Sequence, residues 1–175
     1  MKERQSLTTS LIVLISGCFL LGEYVFPNLQ SQLALFYGGN YSNGYFPGVS
    51  TGQWYRLLTV ALTHAGWLHL IFNMLALYSI GTPIENFLGR VRYSIIFLGS
   101  LIAASVGASG AIYGLFGSLF VIGKKSGANY QNITGVIIVN LLITFTVPGI
   151  DWRAHLGGLV AGVVITYPLM FRRRT

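Results

Sequence analysis

Five side chains suited to proton transfer or hydrogen bonding lie in or beside apolar stretches of the chain: His64, His69, Asn73, Ser109 and His155. Such groups are unfavourable in apolar surroundings and are usually retained for a function. A serine hydroxyl is a weak nucleophile until a base removes its proton, and a neutral histidine is a suitable base. Ser109 and His155 together therefore predict attack by the serine on a carbonyl carbon, with His155 as general base.

Each residue also has a structural interpretation when it is taken alone. Asn73 could bind a neighbouring helix, and Ser109 could bond its own backbone. The spacing favours a shared site, because His69 and Asn73 are four residues apart and differ by about 40° on a helix. Ser109 and Tyr113 repeat that spacing. An oxyanion formed at Ser109 needs donors, which the Asn73 amide, His69 and the Ser109 N–H could supply.

Glycines mark the helix faces that would bring the serine and the histidine together. They are Gly110, Gly114 and Gly117 on the helix of Ser109, and Gly158 and Gly162 on the helix of His155. Such stripes let helix backbones approach closely, as a Ser–His hydrogen bond of about 2.6–3.2 Å requires. Asp151 lies one turn before His155 but is interpreted as marking the start of that helix. A dyad is therefore predicted rather than a triad.

The elements that position these residues are predicted to be membrane-spanning helices. The chain is 53% hydrophobic and only 9% charged, which indicates a protein of the bilayer. We expect one all-α membrane domain over residues 1–175, with spans at about 7–26, 67–85, 93–108, 109–122, 133–147 and 154–171. The fourth and fifth are short enough to need shielding by their neighbours. The outer loop at 27–53 is either an interfacial segment or an ordinary loop.

The positive charges test the number of spans, because cytoplasmic loops are enriched in Lys and Arg. With the N-terminus in the cytoplasm, nine of the eleven Lys and Arg residues fall on that side, and only Arg56 and Arg153 fall outside. An odd number of spans would break this agreement, so both termini are predicted to be cytoplasmic. The net charge of +7 does not indicate nucleic-acid binding, because the cations form no continuous basic face.

The single cysteine, Cys18, excludes an intramolecular disulfide. No Cys and His set has zinc spacing, so neither a metal nor a cofactor is expected. Residues 15–18 follow a basic start and resemble a bacterial lipoprotein signal, which would lipidate Cys18. A retained helix is favoured, because the apolar stretch continues past Cys18 to Phe26.

Several segments resemble signatures of the rhomboid family. Residues 107–114, with Gly107, Ser109 and Gly110, resemble its GxSG nucleophile motif, and residues 154–158 resemble its catalytic-histidine motif. Three further elements resemble the family pattern. Residues 64–73, from His64 to Asn73, are similar to the signature of the second helix, and Glu85 with Gly89-Arg90 is similar to the cytoplasmic end of that second helix. Trp54-Tyr55-Arg56 is similar to the aromatic-arginine element of the first outer loop. The ordered set across residues 54–162 is far more specific than GxSG alone.

The resemblance implies a six-helix rhomboid-like bundle, a Ser109–His155 dyad and an oxyanion pocket of His69, Asn73 and the Ser109 amide. Tyr113 would pack against the His155 ring, and His64 would brace a loop. The expected reaction is hydrolysis of a peptide bond in or near the transmembrane helix of a substrate membrane protein, through an acyl-enzyme. The protein is expected to cross the plasma membrane of a bacterium several times.

One departure from the family pattern concerns the third helix. Only sixteen residues separate Arg92 from Ser109, and sixteen helical residues reach about 24 Å, short of the ~30 Å hydrocarbon core. Missing packing there could displace the nucleophile. A catalytically impaired relative that binds membrane-protein clients is therefore a second hypothesis. A small transporter or channel is a third, but it predicts repeated halves or a polar helix face, and the sequence has neither.

Overall fold

A computed structural model describes residues 6–42, 44–104, 107–127, 130–146 and 151–171, and the chain is mostly helical. The helices in chain order are α1 (Leu7–Tyr24), α2 (Leu29–Leu33), α3 (Arg56–Thr59), α4 (Trp67–Ala76), α5 (Thr82–Leu88), α6 (Arg90–Ala104), α7 (Gly107–Ser126), α8 (Tyr130–Thr146) and α9 (Trp152–Leu169). Strands β1 (Gly39–Tyr41) and β2 (Gly44–Phe46) form an antiparallel pair between α2 and α3. Single 3-10 turns lie at Val49–Thr51 and Val60–Leu62, and a π-helical turn at Leu77–Gly81 joins α4 to α5.

Within the described residues, each of the six predicted spans coincides with a long helical segment, although two boundaries shift. α6 begins at Arg90, directly after Gly89, and ends at Ala104. α7 has 20 residues, so the prediction that the fourth segment is shorter than a span is wrong. The apolar stretch ends before Lys124 and Lys125, whereas the helix continues, because cations near a helix C-terminus interact favourably with its last carbonyl groups.

By length and hydropathy, two helical segments of the described chain are sufficient to cross a membrane: α1 and the continuous segment Trp67–Leu88. The apolar stretch Thr134–Thr146 within α8 is shorter. Cys18 lies within α1, which continues beyond it to Tyr24. Five of the nine cations that predict cytoplasmic termini lie outside the described residues, namely Lys2, Arg4 and residues 172–174.

Glu85 of α5 ties that helix to the start of α1. Its carboxylate accepts hydrogen bonds from the N–H groups of Leu7 and Thr8 at 2.7 and 2.8 Å. The hydroxyls of Ser6 and Thr8 donate to it at 2.6 and 2.8 Å. The first N–H groups of a helix lack intrahelical acceptors, so this buried carboxylate caps α1 from another helix. Arg90 Nε lies 3.8 Å from Glu85 Oε1 and offsets its charge.

The π-helical turn at Leu77–Gly81 lies just before Pro83. Proline has no N–H to donate to the carbonyl of Ser79 one turn earlier, and its ring crowds that carbonyl. A wider turn relieves this conflict without interrupting the segment. The same turn carries Ser79 and Ile80 to the wall of the cavity described below.

Glycines set the distance between α9 and α7, which is buried along most of its length. A Cβ atom on Gly158 would overlap the Gly110 carbonyl, and one on Gly162 would overlap the Gly114 carbonyl. The two backbones are therefore in direct contact, as the glycine stripes predict. This contact places the first turns of α7 and α9 side by side.

α6 is short, with 15 residues, but it packs closely against α7. The side chain of Ser100 occupies the space beside Gly114, and that of Ala104 occupies the space beside Gly110. The last turn of α6 therefore reaches the level of the first turn of α7. Ser100 and Ala104 of this short helix therefore pack against the part of α7 that carries Ser109.

Arg56 holds together the outer loop of residues 27–53, which is called the outer connector below. Its buried guanidinium donates from Nη1 to the carbonyls of Ser31 and Ala34, and from Nε to the Gln53 side chain at 2.6 Å. These acceptors satisfy a cation that would be unfavourable if it were buried alone. Tyr37 of the connector is exposed, and the location of this segment in the membrane interface stays a prediction.

Candidate active site

A cavity of about 1220 Å³ collects most of the predicted site residues. It is lined by α4 and the π-helical turn after it, by the first three turns of α7, by the start of α9, by α8 and by the outer connector. Gly110 lies instead in the α7–α9 contact, and Arg56 lies behind the connector. The predicted residues in the cavity wall are His64, His69, Asn73, Gly107, Ser109, Tyr113 and His155.

Ser109 and His155 lie near the starts of the two helices that meet at the glycine contact. Ser109 is half-buried in the first turn of α7, and His155 is buried in the first turn of α9. Both side chains line the cavity, but within the described residues no hydrogen bond joins them. Hydrogen bonds between catalytic groups are often long before a substrate binds, so this geometry is compatible with a dyad.

The His155 ring is held on one face and at one edge. The Tyr113 ring stacks on it, with centroids 4.0 Å apart and an interplanar angle of 12°. At the edge, Nδ1 lies 2.8 Å from the Thr144 hydroxyl of α8. The other ring nitrogen, Nε2, takes no part in that contact.

Hydrogen-bond donors border the same cavity as the Ser109 hydroxyl. Asn73 is buried, and its Nδ2 has no hydrogen-bond partner in the part of the chain that is described. His69 Nδ1 accepts a long hydrogen bond of 3.5 Å from the Ala65 N–H, which leaves Nε2–H as a donor in that tautomer. The Ser109 N–H falls in the first turn of α7, where backbone donors lack an intrahelical acceptor.

Residues at or near the starts of α4, α7 and α9 line the cavity. The start of a helix carries the equivalent of roughly half a positive charge from its aligned peptide dipoles. Negative charge that develops near these starts is therefore favoured.

His64 packs against His69 at the start of α4, with ring centroids 5.1 Å apart. Its N–H donates to the Gln30 side chain at 3.2 Å, whereas its buried ring nitrogens have no partner among the described residues. Burial, and secondly the nearby His69, lowers the pKa of His64 from its usual 6.5 to about 4. His64 is therefore neutral at pH 7. Its role in bracing a loop stays a prediction.

Asp151 caps the start of α9, in agreement with its interpretation from the sequence. Its carboxylate accepts hydrogen bonds from the N–H groups of Arg153 and Ala154 at 2.9 and 3.4 Å. The Nδ1 of His155 is bonded to Thr144 instead. Asp151 therefore does not hold the histidine in the way that the acidic member of a catalytic triad does.

The lining of the cavity combines polar and apolar side chains. Polar groups come from the outer connector and the segment before α4, such as Gln30, Ser31 and Thr63. The apolar part of the lining consists of exposed side chains, Phe72, Leu75, Val136 and Ile143, and less exposed ones, Ile80, Ile112 and Phe116. Among the described residues, no group of three or more His, Cys, Asp or Glu side chains could hold a metal ion.

Two residues of α8 near the site were missed by the sequence analysis. Thr144 contacts the His155 ring, and the carbonyl of Asn140 accepts hydrogen bonds from Thr144 and from Tyr113, both at 2.8 Å. The available signal was the spacing of two polar residues four apart in an apolar stretch. Their partner could not be identified, because packing decides which face of α8 meets α9.

Comparison with known proteins gives consistent matches. Residues 51–172 match the model of the Rhomboid domain. Rhomboid protease GluP of Bacillus subtilis (strain 168) is 38% identical over 130 residues, which are 65% of this chain and 26% of that protein. YdcA of the same organism is 35% identical over 142 residues, 71% of each chain. RHOMBOID-like protein 5 of Arabidopsis thaliana is 32% identical over 145 residues, 71% of this chain and 47% of that protein.

The matched lengths differ among these relatives. The chain spans about a quarter of GluP and about half of RHOMBOID-like protein 5, but 71% of YdcA. The family match extends over most of the chain and includes every residue from Trp54 to Gly162 that carries the sequence signatures. The chain therefore belongs to the rhomboid family of intramembrane proteases.

Proposed function

We propose that this chain is an intramembrane serine endopeptidase, with Ser109 as nucleophile and His155 as general base. The observation that carries the proposal is the single cavity in which Ser109, His155 and Asn73 meet from three separate helices. A relative at 38% identity is named as a rhomboid protease. The substrate is a membrane protein that is cut in or near its transmembrane helix.

The reaction begins when a substrate peptide bond enters the cavity beside Ser109. His155 Nε2 takes the hydroxyl proton as the Ser109 Oγ forms a bond to the carbonyl carbon. The tetrahedral intermediate collapses, and the protonated His155 gives its proton to the leaving amine. Water then attacks the acyl-enzyme with His155 again as base, which releases the carboxylate product and restores Ser109.

The oxyanion of each tetrahedral intermediate is stabilised by Asn73 Nδ2, the His69 ring and the Ser109 N–H. Asn73 Nδ2 is suited to this role, because it is buried and has no competing acceptor among the described residues. A preorganised donor of this kind contributes roughly 10²–10³ in kcat. The convergence of three helix starts adds to the stabilisation.

We propose that all six long helical segments cross the bilayer as one membrane domain over residues 1–175, with both termini in the cytoplasm of a bacterium. Large apolar side chains are exposed on several of these helices, which is favourable in lipid and unfavourable in water. Examples are Val13 and Leu14 on α1, Leu68 and Phe72 on α4, and Val139 and Phe145 on α8. Lys124 and Lys125 at the end of α7 fit the cytoplasmic side.

The short α6 supports a second candidate function. A relative that binds membrane-protein clients without cutting them would also use a cavity with many apolar lining residues. The 15-residue α6 favours this alternative, because a shorter support for α7 lowers the precision with which Ser109 is held.

The test is cleavage of a single-span reporter protein by the purified chain in detergent and in proteoliposomes. Wild type is compared with Ser109→Ala and His155→Ala, and Ser94→Ala is the matched control because its hydroxyl donates to the Arg90 carbonyl one turn back on α6, away from the cavity. We expect cleavage by wild type and the control, and loss of at least about 10³-fold in both site variants. Cleavage that survives both substitutions would rule out the dyad. Binding of the reporter without cleavage by any folded form would favour the client-binding function.

A further inference from the structure

The His155 Nδ1 belongs to a buried cluster of polar groups that joins three helices. The cluster consists of His155 Nδ1, the hydroxyls of Thr144 and Tyr113, and the carbonyl of Asn140. Thr144 Oγ1 lies 2.8 Å from His155 Nδ1, 2.7 Å from the Tyr113 hydroxyl and 2.8 Å from the Asn140 carbonyl oxygen. The Tyr113 hydroxyl also lies 2.8 Å from that carbonyl oxygen. Thr144 is only 3% exposed, so water does not substitute for these contacts.

The proton count of this cluster selects one tautomer of His155. The Asn140 carbonyl can only accept, so the protons must come from the two hydroxyls and from Nδ1. With Nδ1 protonated, three protons serve the four short contacts, and one oxygen–oxygen contact has no proton of its own. With Nδ1 unprotonated, only two protons remain, and two of the four contacts have none. Buried polar contacts without a proton are unfavourable, so Nδ1–H is the consistent assignment.

We propose that Thr144 is a positioning residue for the general base, an inference that rests on the proposed function of Ser109 and His155. Its hydroxyl accepts the Nδ1–H of His155 and donates its own proton to the Asn140 carbonyl. This arrangement holds the ring in the tautomer whose Nε2 carries a lone pair. Only that nitrogen can then take the proton of Ser109.

The cluster performs the orienting task that a buried aspartate performs in Ser–His–Asp triads. A neutral hydroxyl backed by a helix carbonyl suits an apolar site, because an ionised carboxylate is unfavourable there. Asp151, the acidic residue nearest in sequence, is engaged with the first N–H groups of α9. Thr144 and Asn140 lie on α8, so the tautomer of the base depends on the packing of α8 against α7 and α9.

The direct test is ¹⁵N NMR of the histidine rings in detergent-solubilised protein at pH 7.5, in which protonated and unprotonated ring nitrogens give well-separated signals. Comparison with His64→Phe and His69→Gln assigns the His155 signals. We expect His155 to be protonated at Nδ1 in wild type and Thr144→Ser, and to shift toward protonation at Nε2 in Thr144→Val. Protonation at Nε2 in wild type, or no change in Thr144→Val, would overturn the proposal.

Cleavage of the single-span reporter supplies the functional readout. Thr144→Val preserves side-chain volume, and we expect kcat to fall about 10- to 100-fold with KM unchanged, as for other residues that orient a reacting ligand. Thr144→Ser should stay within about threefold of wild type. The matched control is Thr146→Val, because Thr146 also bonds to carbonyls one turn back on α8 but is exposed and does not contact His155.

Equal activity of Thr144→Val and wild type would also overturn the proposal. A wild-type protein that cleaves nothing while His155 is protonated at Nδ1 would count against the proposed protease function and in favour of the tautomer assignment. The two failures are therefore distinguishable.

Discussion

The ring of Tyr113 lies nearly parallel to the ring of His155, at 4.0 Å, one turn after Ser109 on the same helix. α7 therefore carries the proposed nucleophile and also supports the base that belongs to α9. An offset stack of this kind restricts rotation of the imidazole about its bond to Cβ. The relative position of the two reacting atoms then depends on one rigid helix.

Replacement of Tyr113 should separate the contribution of the ring from that of the hydroxyl. Tyr113→Phe keeps the stack, and we expect a loss of kcat below about tenfold. Tyr113→Leu removes it and should lower kcat about 100-fold, because the base is no longer held in position. Tyr78→Leu is the control, since Tyr78 is exposed. Equal rates for Tyr113→Leu and wild type would contradict the role of the stack.

Removal of the Asn73 amide should lower activity without lowering stability much. Its Nδ2 has no partner among the described residues, so Asn73→Ala removes no hydrogen bond from that donor. We expect kcat to fall about 10²–10³-fold with little change in KM. Thermal unfolding in detergent is the companion measurement. Parallel loss of activity and stability would indicate a structural role instead.

The α7–α9 contact should not tolerate a side chain at Gly158. In Gly158→Ala the new Cβ would overlap the Gly110 carbonyl, and no rotamer change relieves an overlap with backbone. We expect a loss of about 1–3 kcal/mol in the free energy of unfolding, with a loss of cleavage. Gly135→Ala on α8 meets open space and should be neutral or slightly stabilising. Equal stability and equal cleavage in Gly158→Ala and Gly135→Ala would show that the α7–α9 contact determines neither.

Glu85 should stabilise the first helix and leave the chemistry unaffected. Glu85→Gln replaces one acceptor oxygen by a donor that faces the N–H and hydroxyl donors of Ser6, Leu7 and Thr8. We expect a loss of about 2 kcal/mol in stability, measured by thermal unfolding, with kcat of the folded fraction unchanged. Glu23→Gln is the matched control on the exposed face of α1. An unchanged melting temperature in Glu85→Gln would show that the cap is dispensable.

Protonation of His64 should lower the free energy of unfolding in mild acid. Its pKa is about 4 in the folded protein and near 6.5 in the unfolded chain, so the unfolded chain binds more protons between these values. The free energy of unfolding should therefore be fully retained above pH 6.5 and decrease as the pH falls toward 4. This contribution is at most about 1.4 kcal/mol per pH unit. His64→Phe should remove it, and identical pH profiles for wild type and variant would contradict the assignment.

The features that could be predicted from the sequence are those encoded along a single helix. The four-residue spacings of His69 with Asn73 and of Ser109 with Tyr113 define faces, and periodicity identifies a face without knowledge of the fold. The glycine stripes likewise predicted the close approach of α7 and α9, because only small residues permit backbone contact. Hydropathy located the six long helices but not their ends, since Lys124 and Lys125 remain helical beyond the apolar stretch.

Contacts between elements distant in sequence could not be predicted, because they depend on tertiary packing. The capping of α1 by Glu85 and the bond from Thr144 to His155 depend on how each helix is rotated and at what depth it packs. Those quantities follow from the packing of all the helices together, and the composition of one helix does not contain them. The sequence therefore predicted His155 as a site residue but not the hydrogen-bond partner of its Nδ1.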